Sequence, residues 1–217
     1  MIIADEKKFV EGILRDGSKP SNMSVKGLIR YIARYYYEKF KDDDLNSYIR
    51  YVLDVVGMMQ MSLLEYQEYR YADYTRQYCK RLRDGSFPHE LREVSEISFT
   101  EDELKTINSA VYRKERKVLF ALYALAKIYS PNLGWVNCSE ADIFKSANLH
   151  VTYKEKLQIL HSLYNAGLIE INHMIDKSGY HVTLSPDSPI VYTTKELDDF
   201  GKQYLELISQ RAEAVHS

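Results

Sequence analysis

Apolar residues in the first 95 positions recur three and four residues apart, which is the spacing of helices that bury one face. Breaks rich in glycine, proline and aspartate interrupt this spacing at residues 16–20 and 84–88. The pattern predicts four helices, over residues 6–14, 25–40, 45–59 and 62–82. Since no alternating strand pattern accompanies them, we expect residues 1–95 to form a helical N-terminal domain, built as a bundle.

The next segment carries one strong start signal. Thr100 stands three residues before Glu103, the spacing of a capping box in which each side chain binds the other residue's backbone amide. We therefore expect a connector helix within residues 96–113. Whether it runs on into the following helix is left open by the sequence.

From residue 114 the order of elements changes. Helical spacing covers Lys114–Tyr129, a short strand is indicated near Trp135, and Ser139 caps a second helix that ends near Ala147. A capping box at Thr152 begins a third helix. Two alternating stretches follow, and residues 176–179 have the composition of a hairpin turn between them.

The phrase that carries the clearest resemblance is residues 160–170, in which the third helix ends at Gly167 and leads into Leu168 and Ile169. A third helix that ends in this way and leads into a β-ribbon resembles the winged-helix proteins. The predicted fold class is therefore mainly α: a helical bundle, a winged-helix domain (a helix-turn-helix plus a β-hairpin) over residues 114–185, and a C-terminal helix within residues 186–217. That last helix, over about 194–212, could pack on either half or on another copy of the chain.

Charge gives a local indication only. The whole chain has a net charge of −2, which excludes a global preference for nucleic acid or anionic lipid. Residues 113–185 carry nine Lys and Arg against six Asp and Glu, a local net charge of +3 that permits phosphate binding. The 19 tyrosines are the compositional outlier, and tyrosine suits interfaces because it packs its ring while its hydroxyl stays wet.

Motifs for catalysis are missing. The sequence has no phosphate-binding glycine loop, no HExxH and no GxSxG, and Cys79 and Cys138 are too isolated to suggest a metal site or a disulfide framework. His173 and His181 flank the predicted turn, but a solvated hairpin is favoured over a metal pair. We expect neither an enzyme nor a cofactor. The N-terminus lacks a signal-peptide pattern and no apolar run is long enough to span a bilayer, so we expect a cytoplasmic protein without membrane contact.

The third helix offers the candidate site. Helical geometry places Tyr153, Leu157, Leu160 and Tyr164 on an inward face and a polar set beside them, suited to phosphates and base edges. In DNA-binding winged helices this helix enters the major groove and the wing contacts the backbone. The predicted DNA-binding residues are Lys145, Thr152, Lys154, Gln158, His161, Asn165, Lys177 and Ser178. The alternative interpretation of these residues is a solvated helix face, because any exposed helix has a polar face.

A second candidate surface lies in the N-terminal half. Basic residues alternate there with tyrosines, an arrangement that binds single-stranded nucleic acid. The same tyrosines also have packing spacing, and the packing interpretation is favoured. The residues are Arg70, Arg76, Lys80, Arg81 and Arg83 with Tyr66, Tyr69, Tyr71, Tyr74 and Tyr78, and a smaller basic ridge holds Lys26, Arg30 and Arg34.

Several phrases, including residues 18–20, 32–36 and 134–137, resemble uncharacterised proteins of phages and mobile elements of Gram-positive bacteria. This resemblance implies a context of replication, transcriptional control or takeover of a host process, and it supplies no site residues. We expect a DNA-binding protein with double-stranded DNA as partner. The alternative is a protein–protein interaction module, an inhibitor or modulator of a host protein that uses the winged helix as a scaffold. A protein partner of the Tyr-rich half and a homodimer are both left open.

Overall fold

The structure is a computed structural model that describes residues 3–62, 64–174 and 177–216, with side chains described over 3–62, 64–172 and 179–210. It is mainly helical, with 56% of the chain in helices, and it contains a few short strands. The chain divides into two compact units, Ile3–Glu93 and Val94 onward. No helix in the described ranges is long and apolar enough to cross a membrane.

The first unit is built from four helices. They are α1 (Glu6–Asp16), α2 (Val25–Phe40), α3 (Leu45–Gly57) and α4 (Glu68–Arg83). Side-chain oxygens of Asp5, Ser24 and Asp44 cap the first three, as short polar residues do at helix starts. Gly17 ends α1 in the left-handed conformation, with φ of 62°. The acidic stretch at residues 42–44 thus supplies a helix cap.

The predicted start of α4 is wrong by six residues. Ser62 and Glu65 bind each other through backbone and side chain, which closes a turn before the helix. The tyrosines of this region mostly pack inward, and the residues half-buried against the core of the unit are Tyr66, Tyr71, Tyr74 and Tyr78. The packing interpretation of this Tyr stripe therefore describes four of its five members, and Tyr69 is exposed.

The second unit is organised around a central helix. Its helices are α5 (Glu101–Ser109), α6 (Arg113–Tyr129), α7 (Glu140–Ser146), α8 (Tyr153–Asn165) and α9 (Phe200–His216). Its strands are β1 (Ile97–Thr100), β2 (Trp135–Val136), β3 (Glu170–Met174), β4 (Lys177–His181) and β5 (Ile190–Thr194). Every residue of α6 from Lys117 to Ala126 is buried, because α5, α7, α8, α9, β1 and β2 all contact it.

Two of these strands do not follow from the sequence pattern. β1 pairs antiparallel with β5, with Phe99 opposite Tyr192, where the sequence predicts no strand. These strands have four or five residues and pair across some 90 positions. The sequence therefore contains no local turn signal that would indicate the pairing. The helix start predicted from the Thr100 capping box is confirmed, and α5 ends at Ser109 with Ala110 extended, so it does not run on into α6.

The other sheet has the strand order β2-β4-β3, with Trp135 and Glu170 both opposite His181. The predicted turn at residues 176–179 is misplaced, because Lys177 to Gly179 belong to β4, and residues 175 and 176 lie outside the described part of the chain. Gly179 is needed for close approach: a Cβ there would lie 2.9 Å from Asn137 Oδ1 and 3.4 Å from the Trp135 ring.

The C-terminal helix packs within the second unit. Helix α9 contacts α6, with Phe200, Tyr204 and Leu207 buried, and the Tyr204 hydroxyl donates to Asn108 Oδ1 at 2.9 Å. The predicted helix start near residue 194 is wrong, since residues 190–194 are β5 and the helix begins at Phe200.

Candidate functional site

Helix α8 is held at both ends by local interactions. The Thr152 hydroxyl accepts a hydrogen bond from the Glu155 amide at 3.3 Å, and the Glu155 carboxylate accepts one from the Thr152 amide at 2.9 Å. Gly167, with φ of 68°, then lets the chain leave the helix and enter β3. The predicted capping box and glycine stop are confirmed, so the orientation of α8 is set by residues that the sequence identifies.

One row of polar side chains lies along the outside of α8. Its members are Lys154, Gln158, His161 and Asn165, spaced four, three and four residues apart, and all four are exposed. Thr152 is exposed at the start of the helix, and Lys145 is exposed on α7. The structure thus leaves these six predicted residues accessible. The side chains of the other two, Lys177 and Ser178, lie outside the described residues.

The predicted inward face of α8 is wrong at two of its four positions. Tyr153 is 69% exposed and Tyr164 is 49% exposed. The buried residues are Ile159, Leu160 and Leu163, so the helix is turned from the predicted orientation to direct this side at the core of the unit. The two tyrosines therefore stand beside the polar row and add aromatic surface to it.

Glu155, the acidic residue next to the polar row, already has hydrogen-bond and ion-pair partners. The hydrogen bonds from the Thr152 amide and hydroxyl, and then the nearby Lys114, hold the pKa of Glu155 below its usual value. Lys114 Nζ lies 3.4 Å from the Glu155 carboxylate. The negative charge at the start of α8 is thus met by a cation from α6, which lowers its repulsion toward an anionic partner.

A cavity of about 550 Å³ separates the start of α6 from α8. Its lining residues are Tyr112, Arg113, Lys114, Glu115, Glu155, Gln158, Ile159 and Ser162. Arg113 and Lys114 are exposed here beside Gln158, and sequence reasoning did not include them. The signal that could have found them is the basic run at residues 113–117. Two other cations of this run are held by backbone carbonyls, since Arg116 donates to Ala110 and Lys117 donates to Asn148.

His173 and His181 are not opposite each other in the register of the β3–β4 hairpin. His181 is paired in register with Glu170, its Nδ1 lies 3.8 Å from that carboxylate, and its ring contacts Trp135 with centroids 5.0 Å apart. His173 is paired with Ser178, and its side chain lies outside the described residues. Over the described part of the chain, no three His, Cys, Asp or Glu side chains come together to hold a metal ion.

The Tyr/Arg-rich segment of the first unit is only partly available as a surface. Its exposed cations are Arg70, Arg76, Lys80 and Arg81, whereas Arg83 donates to the Phe40 and Asp43 carbonyls. Because four of the five tyrosines pack against the core, Tyr69 is the one ring of this set that stands exposed. Stacking of successive bases needs several free rings, so this segment is a weaker candidate than α8.

Comparison of the chain with protein-family models, with curated proteins and with solved structures finds no match.

Proposed function

We propose that the chain is a DNA-binding protein and that residues 114–185 act as a winged-helix unit, with α8 as the recognition helix. The order of α6, β2, α7, α8 and the β3–β4 hairpin supports this proposal. Strand β2 joins the hairpin beside β4, so the three helices are backed by one small sheet. In this arrangement α8 lies in the major groove and the hairpin contacts the DNA backbone.

The exposed row on α8 is the observation that carries the proposal. Gln158 and Asn165 have the side-chain amides that pair with adenine, and Lys154 can donate to guanine or to a phosphate. Their spacing places them along one line of the helix, which is how a helix in the major groove reads successive base pairs.

Flanking cations would fix the position of the helix on the duplex. Lys145 on α7 is exposed, and Arg113 and Lys114 are exposed across the cavity from Gln158; Thr152 adds an exposed, uncharged hydroxyl at the start of α8. Contacts to phosphates position a protein but carry no sequence information. Specificity therefore falls to Gln158, His161 and Asn165, and affinity to the surrounding cations.

The test is a titration of a fluorescent mixed-sequence duplex with the full chain at several salt concentrations. Lys114 is paired with Glu155, so with Lys145, Lys154 and Arg113 on phosphates the slope of log affinity against log salt is expected to be about −3. Lys154→Ala should reduce that slope by about 1. Absence of binding at low salt would overturn the proposal.

Lys202→Ala is the matched control for Lys154→Ala. Lys202 is an exposed helical lysine of the same unit, on α9, and it pairs with Glu206 at 3.4 Å. It is outside the proposed interface, so its removal should leave the salt slope unchanged. An equal effect of both substitutions would indicate nonspecific attraction to the whole surface and would count against a DNA site on α8.

A second candidate function is supported by the tyrosines beside the row. Exposed Tyr153 and Tyr164 are the kind of side chain that anchors protein–protein interfaces. An inhibitor or modulator of another protein would bind through them. In affinity purification with nuclease treatment, a direct partner should survive the nuclease and be lost with Tyr153→Ala/Tyr164→Ala, but kept with Lys154→Ala. A partner lost on nuclease treatment would instead be bridged by DNA.

A further inference from the structure

We propose that a cavity in the first unit binds a small phosphate-bearing molecule with a planar ring, of the nucleotide class. The cavity has a volume of about 610 Å³ and is formed by α1, α2, α4 and the segment after α4. Its lining residues are Glu6, Arg30, Arg34, Tyr78, Phe87, Pro88, Glu90, Leu91 and Arg92. The volume is in the range of small-molecule sites, which combine an apolar wall with a few convergent polar groups.

The polar wall is rich in guanidinium groups. Glu6 is 3% exposed and binds both Arg34, at 2.9 Å, and Arg92, at 2.5 Å. Its carboxylate also accepts the Arg92 amide at 2.9 Å. Burial acts to raise the pKa of Glu6, but this hydrogen bond and the two charges outweigh it and hold the pKa below its usual value. Two arginines thus share one buried carboxylate, and with Arg30 the lining holds three guanidinium groups against the two acidic residues Glu6 and Glu90.

Arg30 adds a third guanidinium to the lining of the cavity. It is exposed and donates to the Tyr74 hydroxyl, and among the described residues it has no carboxylate within salt-bridge distance. Arg34 Nε is buried without a hydrogen-bond partner, although the other end of the same group binds Glu6 and the Glu90 carbonyl. Such donors suit a phosphate, which accepts several charge-assisted hydrogen bonds at once.

The remaining lining is largely aromatic and apolar. Tyr78 and Phe87 lie with ring centroids 5.3 Å apart, and Pro88 and Leu91 also line the cavity. Burial raises the pKa of Tyr78, and the positive charges of Arg34 and Arg30 oppose that rise. Both guanidinium groups are therefore close enough to the Tyr78 hydroxyl to affect it electrostatically. A planar ring can lie against this lining while its phosphate reaches the arginines. All the lining residues belong to the first unit and none to α8, so this inference is independent of the proposed DNA binding.

Isothermal titration calorimetry of the full chain with three probes tests the inference: adenosine monophosphate, adenosine and inorganic phosphate. We expect the monophosphate to bind at about millimolar Kd or tighter and the other two to bind more weakly. Equal binding of phosphate alone would overturn the role of the rings. Equal binding of adenosine would overturn the role of the arginines, and no binding of any probe would overturn the site.

Variants distinguish binding in the cavity from general electrostatic attraction to the protein surface. Arg30→Gln should weaken binding of the monophosphate about tenfold, the size of one lost charge-assisted contact. Arg30→Lys should give an intermediate loss, and it keeps a cation should the first variant fail to fold. Arg50→Gln is the control, because Arg50 lies exposed on α3, pairs with Asp54 at 4.0 Å and does not line the cavity. An equal loss with Arg50→Gln would overturn the assignment.

Discussion

The Lys127 ammonium lies 2.8 Å from the carboxylate of Glu103, which is fully buried at the start of α5. The same carboxylate accepts hydrogen bonds from the Thr100 amide at 2.9 Å and the Ser185 amide at 3.3 Å. One buried acid therefore joins the start of α5, the central helix and the segment after β4. A buried charge held in this way is costly to leave without its partner.

Lys127→Met should destabilise the second unit by about 3–5 kcal/mol, because it leaves Glu103 buried without a cation. Unfolding in urea measures the loss. The control is Lys105→Met on α5, whose pairing with Glu101 and Asp102 is exposed, and which should leave the free energy of unfolding unchanged. Equal stability of Lys127→Met and the unaltered chain would contradict a structural role for this pair.

Gly201 on α9 lies directly against the Ala147 carbonyl, where a Cβ would overlap backbone atoms. Gly201→Ala should therefore cost about 1–3 kcal/mol by overpacking the contact of α9 with the end of α7. Gly12→Ala is the comparison, since its nearest neighbour is Arg15 at 4.0 Å and an alanine in a helix is favoured by about 0.5–1 kcal/mol. Thermal unfolding should move in opposite directions for the two variants, and a shared direction would contradict this packing.

Glu6→Gln should destabilise the first unit by about 3 kcal/mol near neutral pH, because two arginines lose their buried partner. The folded pKa of Glu6 is lowered from its ordinary value of 4.5, so its contribution is present above pH 4.5 and is lost as the pH falls through the folded pKa. The difference in unfolding free energy between the two proteins should be constant above that pH and shrink below it. A difference that grows on acidification would contradict the ion-pair network.

Cys79 and Cys138 should differ in reactivity. Cys79 is fully buried, and burial raises the pKa of its thiol to about 12, whereas Cys138 is half-buried. Mass spectrometry after brief exposure to iodoacetamide should find Cys138 alkylated first. Equal rates in the folded protein would show that the core around Cys79 opens readily.

The sequence predicts the parts of the fold that local chemistry determines. The capping boxes at Thr100 and Thr152 and the left-handed Gly167 each act within a few residues, and each stands where the pattern places it. The β1–β5 pair could not be found in this way, because its register depends on contacts between residues far apart in the chain. The rotation of α8 had the same cause, since Ile159 and Leu163 turn inward only because α6 lies on that side.

The candidate site also has one part that the sequence predicts and one part that depends on packing. The polar row on α8 follows from helical periodicity, whereas Arg113 and Lys114 join it through packing of α6 against a helix some 40 positions later. The Tyr-rich stripe of α4 shows the limit of periodicity, because spacing alone did not distinguish rings that pack, such as Tyr78, from the exposed Tyr69.

The most direct test of the DNA proposal is fluorescence anisotropy of a mixed duplex with the unaltered chain and with Lys154→Ala/Gln158→Ala/His161→Ala at low salt. These three residues are exposed, so the variant should keep its fold, as circular dichroism will check. We expect the unaltered chain to bind and the triple variant to bind at least about tenfold more weakly. Equal affinity of the two proteins, or no binding by the unaltered chain, would contradict α8 as a DNA-reading helix.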